Sequence, residues 1–131
     1  MGSDMNRIVN VGVAARIGTY SDAVETAPGK RVLYTSGTPG LSAETGQLPE
    51  AFAEQADLAW RNIKAILAEA GMGVEDIVKL TQYLIRRDDL AAYRDIRSRH
   101  LGACRPASML SFVPGLVWPN MLIELEVVAA K

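Results

Sequence analysis

Residues 49–71, PEAFAEQADLAWRNIKAILAEAG, decide the fold. Phe52, Ala56, Ala59, Ile63, Ile66 and Ala70 recur at steps of three or four, the period of a helix that buries one face, and Gly71 stands where a C-terminal cap belongs. Glu54, Asp57, Arg61, Lys64 and Glu69 fill the opposite side, so the helix has a solvated back. What it covers is read from the segments that follow. Ile77 to Ile85 is an apolar run broken by Lys79, Thr81 and Gln82, with the β-branching of a strand. Asp88-Asp89 then caps a second helix, about Leu90 to Leu101, which turns Leu90, Tyr93 and Ile96 inward and stops at Gly102. Pro106 blocks further helix; Ser108 to Val113 and Met121 to Ala129 read as strands.

Towards the N-terminus, Val9, Val11 and Val13 alternate as in a short strand entering the sheet. Tyr20 to Ala27 leads through Pro28-Gly29 into Arg31 to Ser36, which predicts a hairpin, and Thr38 to Gly46 reads as a surface loop. The expected order is β-β-β-α-β-α-β-β, an α+β fold with a mixed sheet and both helices on one face. In the last strand Leu122, Glu124, Glu126 and Val128 oppose Ile123, Leu125, Val127 and Ala129; in the strand after the first helix Ile77, Tyr83 and Ile85 oppose Val78, Leu80 and Leu84. Apolar residues on both sides of a sheet with one covered face predict an oligomer that packs sheet faces together.

Length and charge narrow the function. The chain has 131 residues, enough for one domain (1–131) with a core of its own. With 14 Lys plus Arg against 15 Asp plus Glu and a pI near 5.8, it lacks the electrostatic footprint of a nucleic-acid binder. Cys104 is the one cysteine, no Cys/His grouping has metal-site spacing, and no apolar stretch reaches a membrane span, so we expect no metal, no membrane and a cytoplasmic protein. Met1-Gly2-Ser3 ahead of Met5 reads as a cloning remnant, residues 1–4 being set aside with Met5 as the native start.

Several residues carry possible chemistry. Glu124 and Glu126 project from one strand face beside Leu122 and Val128; a carboxylate there is either a general acid or base with a raised pKa, or a partner for arginines at a subunit seam. Arg86, Arg87, Arg94, Arg97, Arg99 and Arg105 make a locally positive run that either draws anionic metabolites or forms a solvated surface. Arg105, between helix and strand, is placed to clamp a carboxylate with two hydrogen bonds. Cys104 lacks an oriented base, His100 being the only histidine, and reads as a structural thiol. Tyr20 is either packed or in contact with a ligand.

Gly18-Thr19-Tyr20-Ser21-Asp22-Ala23, Tyr34-Thr35-Ser36-Gly37, Asn62-Ile63-Lys64-Ala65-Ile66-Leu67, Pro106-Ala107-Ser108 and Ile123-Glu124-Leu125-Glu126-Val127 together resemble the RidA/YjgF family over nearly the whole chain. The resemblance implies a chorismate-mutase-like α+β fold and a homotrimer with ligand clefts between subunits. It also implies hydrolysis of small reactive enamines or imines to keto acids and ammonia, without metal or organic cofactor. Tyr20 falls on the family's cleft tyrosine, Ser36 and Gly37 on its strand-end loop, and Glu124 on the carboxylate that positions water. The family motif Pro-Ala-Arg-Ser reads Pro106-Ala107-Ser108-Met109, so Ser108 replaces the arginine that holds the substrate carboxylate, and a hydroxyl cannot replace a bidentate ion pair. Arg105 is a candidate substitute, although strand alternation would turn it to the opposite face. Met109, Phe112 and Trp118 fall where the cleft wall is expected and imply a more apolar ligand. Three functions follow: a deaminase using Glu124, Tyr20, Ser36, Gly37, Ser108 and Arg105; a non-catalytic metabolite binder; and a ribonuclease or translation inhibitor, against which the acidic pI and few aromatics argue.

Overall fold

The computed structural model describes residues 5–131; the expected cloning remnant, residues 1–4, lies outside the described residues. The long helical period becomes α2, Phe52–Glu69, and the chain leaves it through Gly71 at φ +72°, a left-handed conformation that favours glycine. Phe52, Ala56, Ala59 and Ile63 are buried as expected, but the stripe runs on through Trp60 and Leu67, leaving Ile66 36% exposed and Ala70 only partly covered. At 100° per residue Trp60 and Leu67 lie on one flank of the stripe and Ile66 on the other, and it is the first flank that is packed.

Strand β5, Ile77–Leu84, leads to α3, Leu90–Leu101, then β6, Ala107–Phe112, and β7, Ile123–Ala130. Asp89 does not cap α3 with its side chain; its carboxylate grips Arg86 at 2.8 Å, and the helix enters through a 3-10 turn at Arg87–Asp89. Strands β5 and β6 are parallel, and β7 lies antiparallel to β5 on its other side. Helices α2 and α3 cover one face, where Trp60, Ile63, Leu67, Tyr93 and Ile96 meet Leu80, Leu84, Ile123, Leu125 and Val127.

The N-terminal third departs from its reading. Strand β1, Arg7–Val9, stops before Val11, helix α1 spans Ala14–Ile17, and β2 is Ala23–Glu25. The Asp22 carboxylate accepts the N–H groups of Val11 and Ala14 at 2.7 Å and of Gly12 at 3.0 Å, which curls residues 11–14 out of the strand. No hairpin forms across Pro28-Gly29. Strand β2 pairs with β1 through Ile8↔Val24, whereas β3, Val32–Tyr34, pairs with β7 through Leu33↔Ala129, because the buried edge of the main sheet outbids a local turn. Part of the expected surface loop is a short strand, β4, Thr38–Pro39, also on β7. The main sheet therefore runs β3-β7-β5-β6, with β4 extending the β7 edge.

The backbone amides of Val11, Ala14 and Gly12 hold the Asp22 carboxyl below its ordinary range. A carboxyl whose folded pKa is depressed stabilises the fold above its unfolded value, near 3.9, and ceases to do so as pH falls through the folded value. Asp22→Asn is therefore expected to unfold at lower urea than the parent at pH 7, with the gap closing towards pH 2; a gap that persists unchanged in acid would contradict this origin.

The uncovered face is less apolar than expected along β5. A bulge between Ile77 and Lys79 pairs Ile77 with Ala129 on the helix side, so Lys79, Thr81 and Tyr83 occupy the open side. Apolar groups there come from Tyr34, 74% exposed, with Val32 and, on β6, Met109, 53% exposed.

Candidate functional site

Strand β6 is the free edge of the main sheet. Ser21 joins that edge: it bridges Ala107 in parallel, its N–H donates to the Pro106 carbonyl at 3.2 Å, and its hydroxyl donates to the Arg105 carbonyl. Tyr20 is thereby set beside Ser108. Between this edge and α3 opens a cleft of about 300 Å³ whose walls include Ile17, Tyr20, Leu90, Arg94, Arg97 and Ser108. A second recess, about 20 Å³ and so large enough for roughly one water, shares Tyr20, Arg97 and Ser108 and adds Cys104 and Arg105.

Beneath the cleft lies Gln82, 0% exposed. Its amide nitrogen donates to Ser108 Oγ at 2.7 Å and to the Met109 carbonyl at 3.1 Å, and its Oε1 accepts the Tyr93 hydroxyl at 2.6 Å and Arg97 Nη1 at 2.9 Å. Every hydrogen-bonding position of the amide is filled, as a buried glutamine requires. Burial pushes the Tyr93 phenol far up, more than the Arg97 charge draws it down, so it stays a neutral donor. The Arg97 guanidinium also sits over the Tyr93 ring, 5.3 Å from its centre.

The second cluster forms around Glu124. In register it stands between Pro39 of β4 and Tyr83 of β5. Gly37 comes so close that an added Cβ would lie 2.9 Å from Glu124 Cδ, so only a residue without a side chain lets the carboxylate rest over that backbone. Ser36 precedes it, its carbonyl accepting the Thr38 hydroxyl at 3.0 Å. Burial pushes the Glu124 carboxyl up, and the Glu126 charge adds to it. Among the described residues no arginine or lysine pairs with either glutamate, so the seam partners expected for them are not supplied by this chain.

Tyr20 and Ser108 are thus brought together, as are Ser36, Gly37 and Glu124, but the two groups stand on opposite faces. Ser108 pairs with Leu80 and shares the helix side with Gln82, whereas Glu124 pairs with Tyr83 on the open side. Arg105 precedes β6, so strand alternation does not govern it; its Nη1 folds back onto the carbonyls of Gly102 and Cys104, and it lines only the smaller recess. Of the bulky residues expected on the wall, Met109 lines the larger cleft, Phe112 lies under Arg87, and Trp118 sits half-exposed in the loop before β7.

His100 is occupied elsewhere: Nε2 is 2.8 Å from Asp57 Oδ1 and the ring stacks on Trp60. Burial raises the Cys104 thiol, Glu75 adds to this and Arg105 only partly offsets it, so the thiol is not activated. Gln82 escaped the sequence reading as a site residue, and Arg97 was named there only as one of six arginines in the basic run. The available signals were a glutamine two residues from both Leu80 and Leu84 in an alternating strand, and an arginine one turn beyond inward-facing Tyr93. No group of three His, Cys, Asp or Glu side chains among the described residues is arranged to hold a metal, and no described helix is long and apolar enough to cross a membrane.

A family model described as endoribonuclease L-PSP matches residues 2–131. A RutC family protein of Pyrococcus abyssi is 34% identical over 116 residues, 88% of each chain. The 2-iminobutanoate/2-iminopropanoate deaminase of Capra hircus is 33% identical over 133 residues, 100% of this chain and 94% of the relative. Among solved structures, that of the Rid family protein YyfB from Yersinia pestis superposes with a TM-score of 0.83 at 28% identity, covering 96% of this chain and 98% of the other.

Proposed function

Since the chain belongs to the RidA/YjgF family, we propose that it is a cytoplasmic hydrolase that converts a small imine or enamine to a carbonyl compound and ammonia, in a cleft completed by a neighbouring copy of a homotrimer. The observation that carries this reading is the raised pKa of Glu124, a half-buried carboxyl laid against Gly37 and with no cationic partner among the described residues. A carboxyl whose pKa is raised is a stronger base when ionised than an ordinary carboxylate, which suits it to take a proton from water and return it. Water adds to the C=N carbon while the Glu124 carboxylate takes one of its protons and passes it to nitrogen, giving a carbinolamine; Glu124 then takes the proton of the new hydroxyl and delivers it to the same nitrogen, so that the C–N bond breaks, ammonia leaves and the carbonyl forms. Tyr20 and Ser108 orient the substrate. Because they occupy the face opposite Glu124, the Glu124 that serves them comes from a second copy, and the exposed Tyr34, Val32 and Met109 give such a copy apolar area to cover.

The match to a deaminase over the full chain supports the reaction class. Ammonia released from freshly generated 2-iminopropanoate or 2-iminobutanoate, above the buffer rate, is the expected result; no acceleration over a panel of such imines would end the proposal. Ser108 favours one second reading, a cleft that holds a metabolite without turning it over, which would show as unchanged ligand retained through purification. Light scattering tests the assembly: a single-chain mass would remove the shared cleft.

A further inference from the structure

The cleft beside β6 holds a guanidinium that no carboxylate of the described residues meets. Arg97 spends Nη1 on the neutral oxygen of Gln82, its plane rests over Tyr93, and no carboxylate among the described residues pairs with it. Arg94, one turn earlier on α3, lines the same cleft and likewise has no acidic partner. A partly buried guanidinium without a counter-charge is costly to keep, and one whose remaining N–H groups border a cavity is supplied for an anionic guest.

We propose that Arg97 is the carboxylate-binding residue of this chain, supplying from α3 the guanidinium that Ser108 cannot supply from β6, and that the ligand is a small 2-imino or 2-keto monocarboxylate with an aliphatic side chain. This rests on the cleft being the ligand site of the proposed function. The link between the two positions is physical: one buried amide, Gln82, bonds Ser108 Oγ through its nitrogen at 2.7 Å and Arg97 Nη1 through its oxygen at 2.9 Å, so both reach the same stretch of cleft wall. The cation–π contact with Tyr93 and the bond to Gln82 hold the guanidinium before any ligand arrives, which lowers the entropic cost of a two-point grip. Ser108 accepts from Gln82 and keeps its own hydroxyl proton to donate to a second carboxylate oxygen. Leu90, Leu110 and Ile17 line the remainder of the cleft, which suits an aliphatic tail. Arg105 is no competitor, its guanidinium being turned onto backbone carbonyls outside this cleft.

Calorimetric titration with 2-oxobutanoate, the stable carbonyl counterpart of the imine, and with its uncharged methyl ester, tests this on the intact protein. The parent is expected to prefer the acid. Arg97→Met should weaken the acid by roughly ten- to hundredfold and leave the ester unchanged, and Ser108→Arg added to Arg97→Met should restore preference for the acid. Arg97→Lys, which keeps charge without the fork, should fall between and carries the test if Arg97→Met fails to fold. Acid affinity unaltered in either Arg97 variant overturns the assignment while the cleft and the ammonia assay stand. A parent that binds neither compound yet releases ammonia also overturns it, and one that does neither takes the proposed function with it.

Discussion

Glu124→Gln should lower imine hydrolysis by about a hundred- to ten-thousandfold, the range lost when a positioned proton carrier is removed, with no loss of fold. The amide keeps the shape of the carboxyl over Gly37, so packing is preserved and only proton exchange is lost. Stability separates this from a structural effect. Burial, then Glu126, raises the folded pKa of Glu124, so the folded state holds the proton more tightly than the unfolded chain. A group of that kind stabilises below its unfolded pKa, about 4.3, and that stabilisation is lost as pH rises through the folded value. Removing the ionisable group therefore leaves the variant at least as stable as the parent at pH 7. Ammonia release and thermal unfolding at pH 7 measure both sides; turnover within threefold of the parent, in a folded variant, would exclude Glu124 as the proton carrier. In the parent, activity should climb with pH through the raised pKa, because the carboxylate is the form that takes the proton.

Two kinds of information separate what was legible in the sequence from what was not. Helices α2 and α3 were legible because their evidence is local: a period held from Phe52 to Leu67, with Gly71 and Gly102 as stops at positive φ. Strand existence was legible in β5, β6 and β7 for the same reason. Pairing was not, since it is decided between distant segments: Pro28-Gly29 is a sound turn, yet β3 goes to β7 and β2 to β1. The bulge at Ile77/Lys79 moves Ile77 to the side of Leu80 and Leu84, away from the Tyr83 and Ile85 with which strict alternation groups it, an event with no sequence mark at that point. Among the candidate site residues, Glu124, Gly37, Tyr20 and Ser108 were named through resemblance, while their division between two sheet faces needed the register. Gln82 was hidden, and Arg97 stood undistinguished among the six arginines of the basic run, because a polar residue in an apolar strand, or a basic one in a basic helix, acquires meaning only when its face is known.

The register also explains why the candidate site residues of such a small chain form two separate groups. Helices occupy one face, so polar chemistry on that side is confined to the free β6 edge, where Tyr20, Ser108 and Arg97 gather. On the open side, Glu124 needs shielding from water to have its pKa raised, and β4 with Gly37 supplies part of it. The placement of β4 in turn depends on α2, which makes that contact the point where fold and site meet.

Gly40→Ala is expected to destabilise the protein by roughly 2–6 kcal/mol. An added Cβ at this position would meet the backbone of α2 itself, 2.7 Å from the carbonyl carbon of Gln55 and 2.8 Å from its Cα, and helix backbone cannot swing aside as a side chain would. Relief requires the 38–41 segment to lift from the helix. Lifting it breaks the bonds from Asn62 Nδ2 to the carbonyls of Pro39, 3.0 Å, and Leu41, 2.9 Å, worth about 0.5–1.5 kcal/mol each. Overpacking that is not relieved adds about 1–3 kcal/mol. At this chain length a loss of 1 kcal/mol moves the unfolding midpoint by roughly 4 °C, so a fall of about 10 °C or more is the expected reading. Nearby Gln55, whose amide nitrogen bonds the carbonyls of Pro49 and Asn120 and whose Oε1 takes the Leu122 N–H, ties the same helix to the start of β7, so displacement here also loosens the support under Glu124. Gly40→Ala should accordingly lose activity at temperatures where it remains folded, whereas Gly46→Ala, with nothing within 4 Å of the added methyl, should change stability through its positive φ alone and leave activity as it was. A Gly40→Ala protein that unfolds at the parent's temperature would show that β4 does not rest on α2, and the carboxylate would then lack the platform on which its proton chemistry depends.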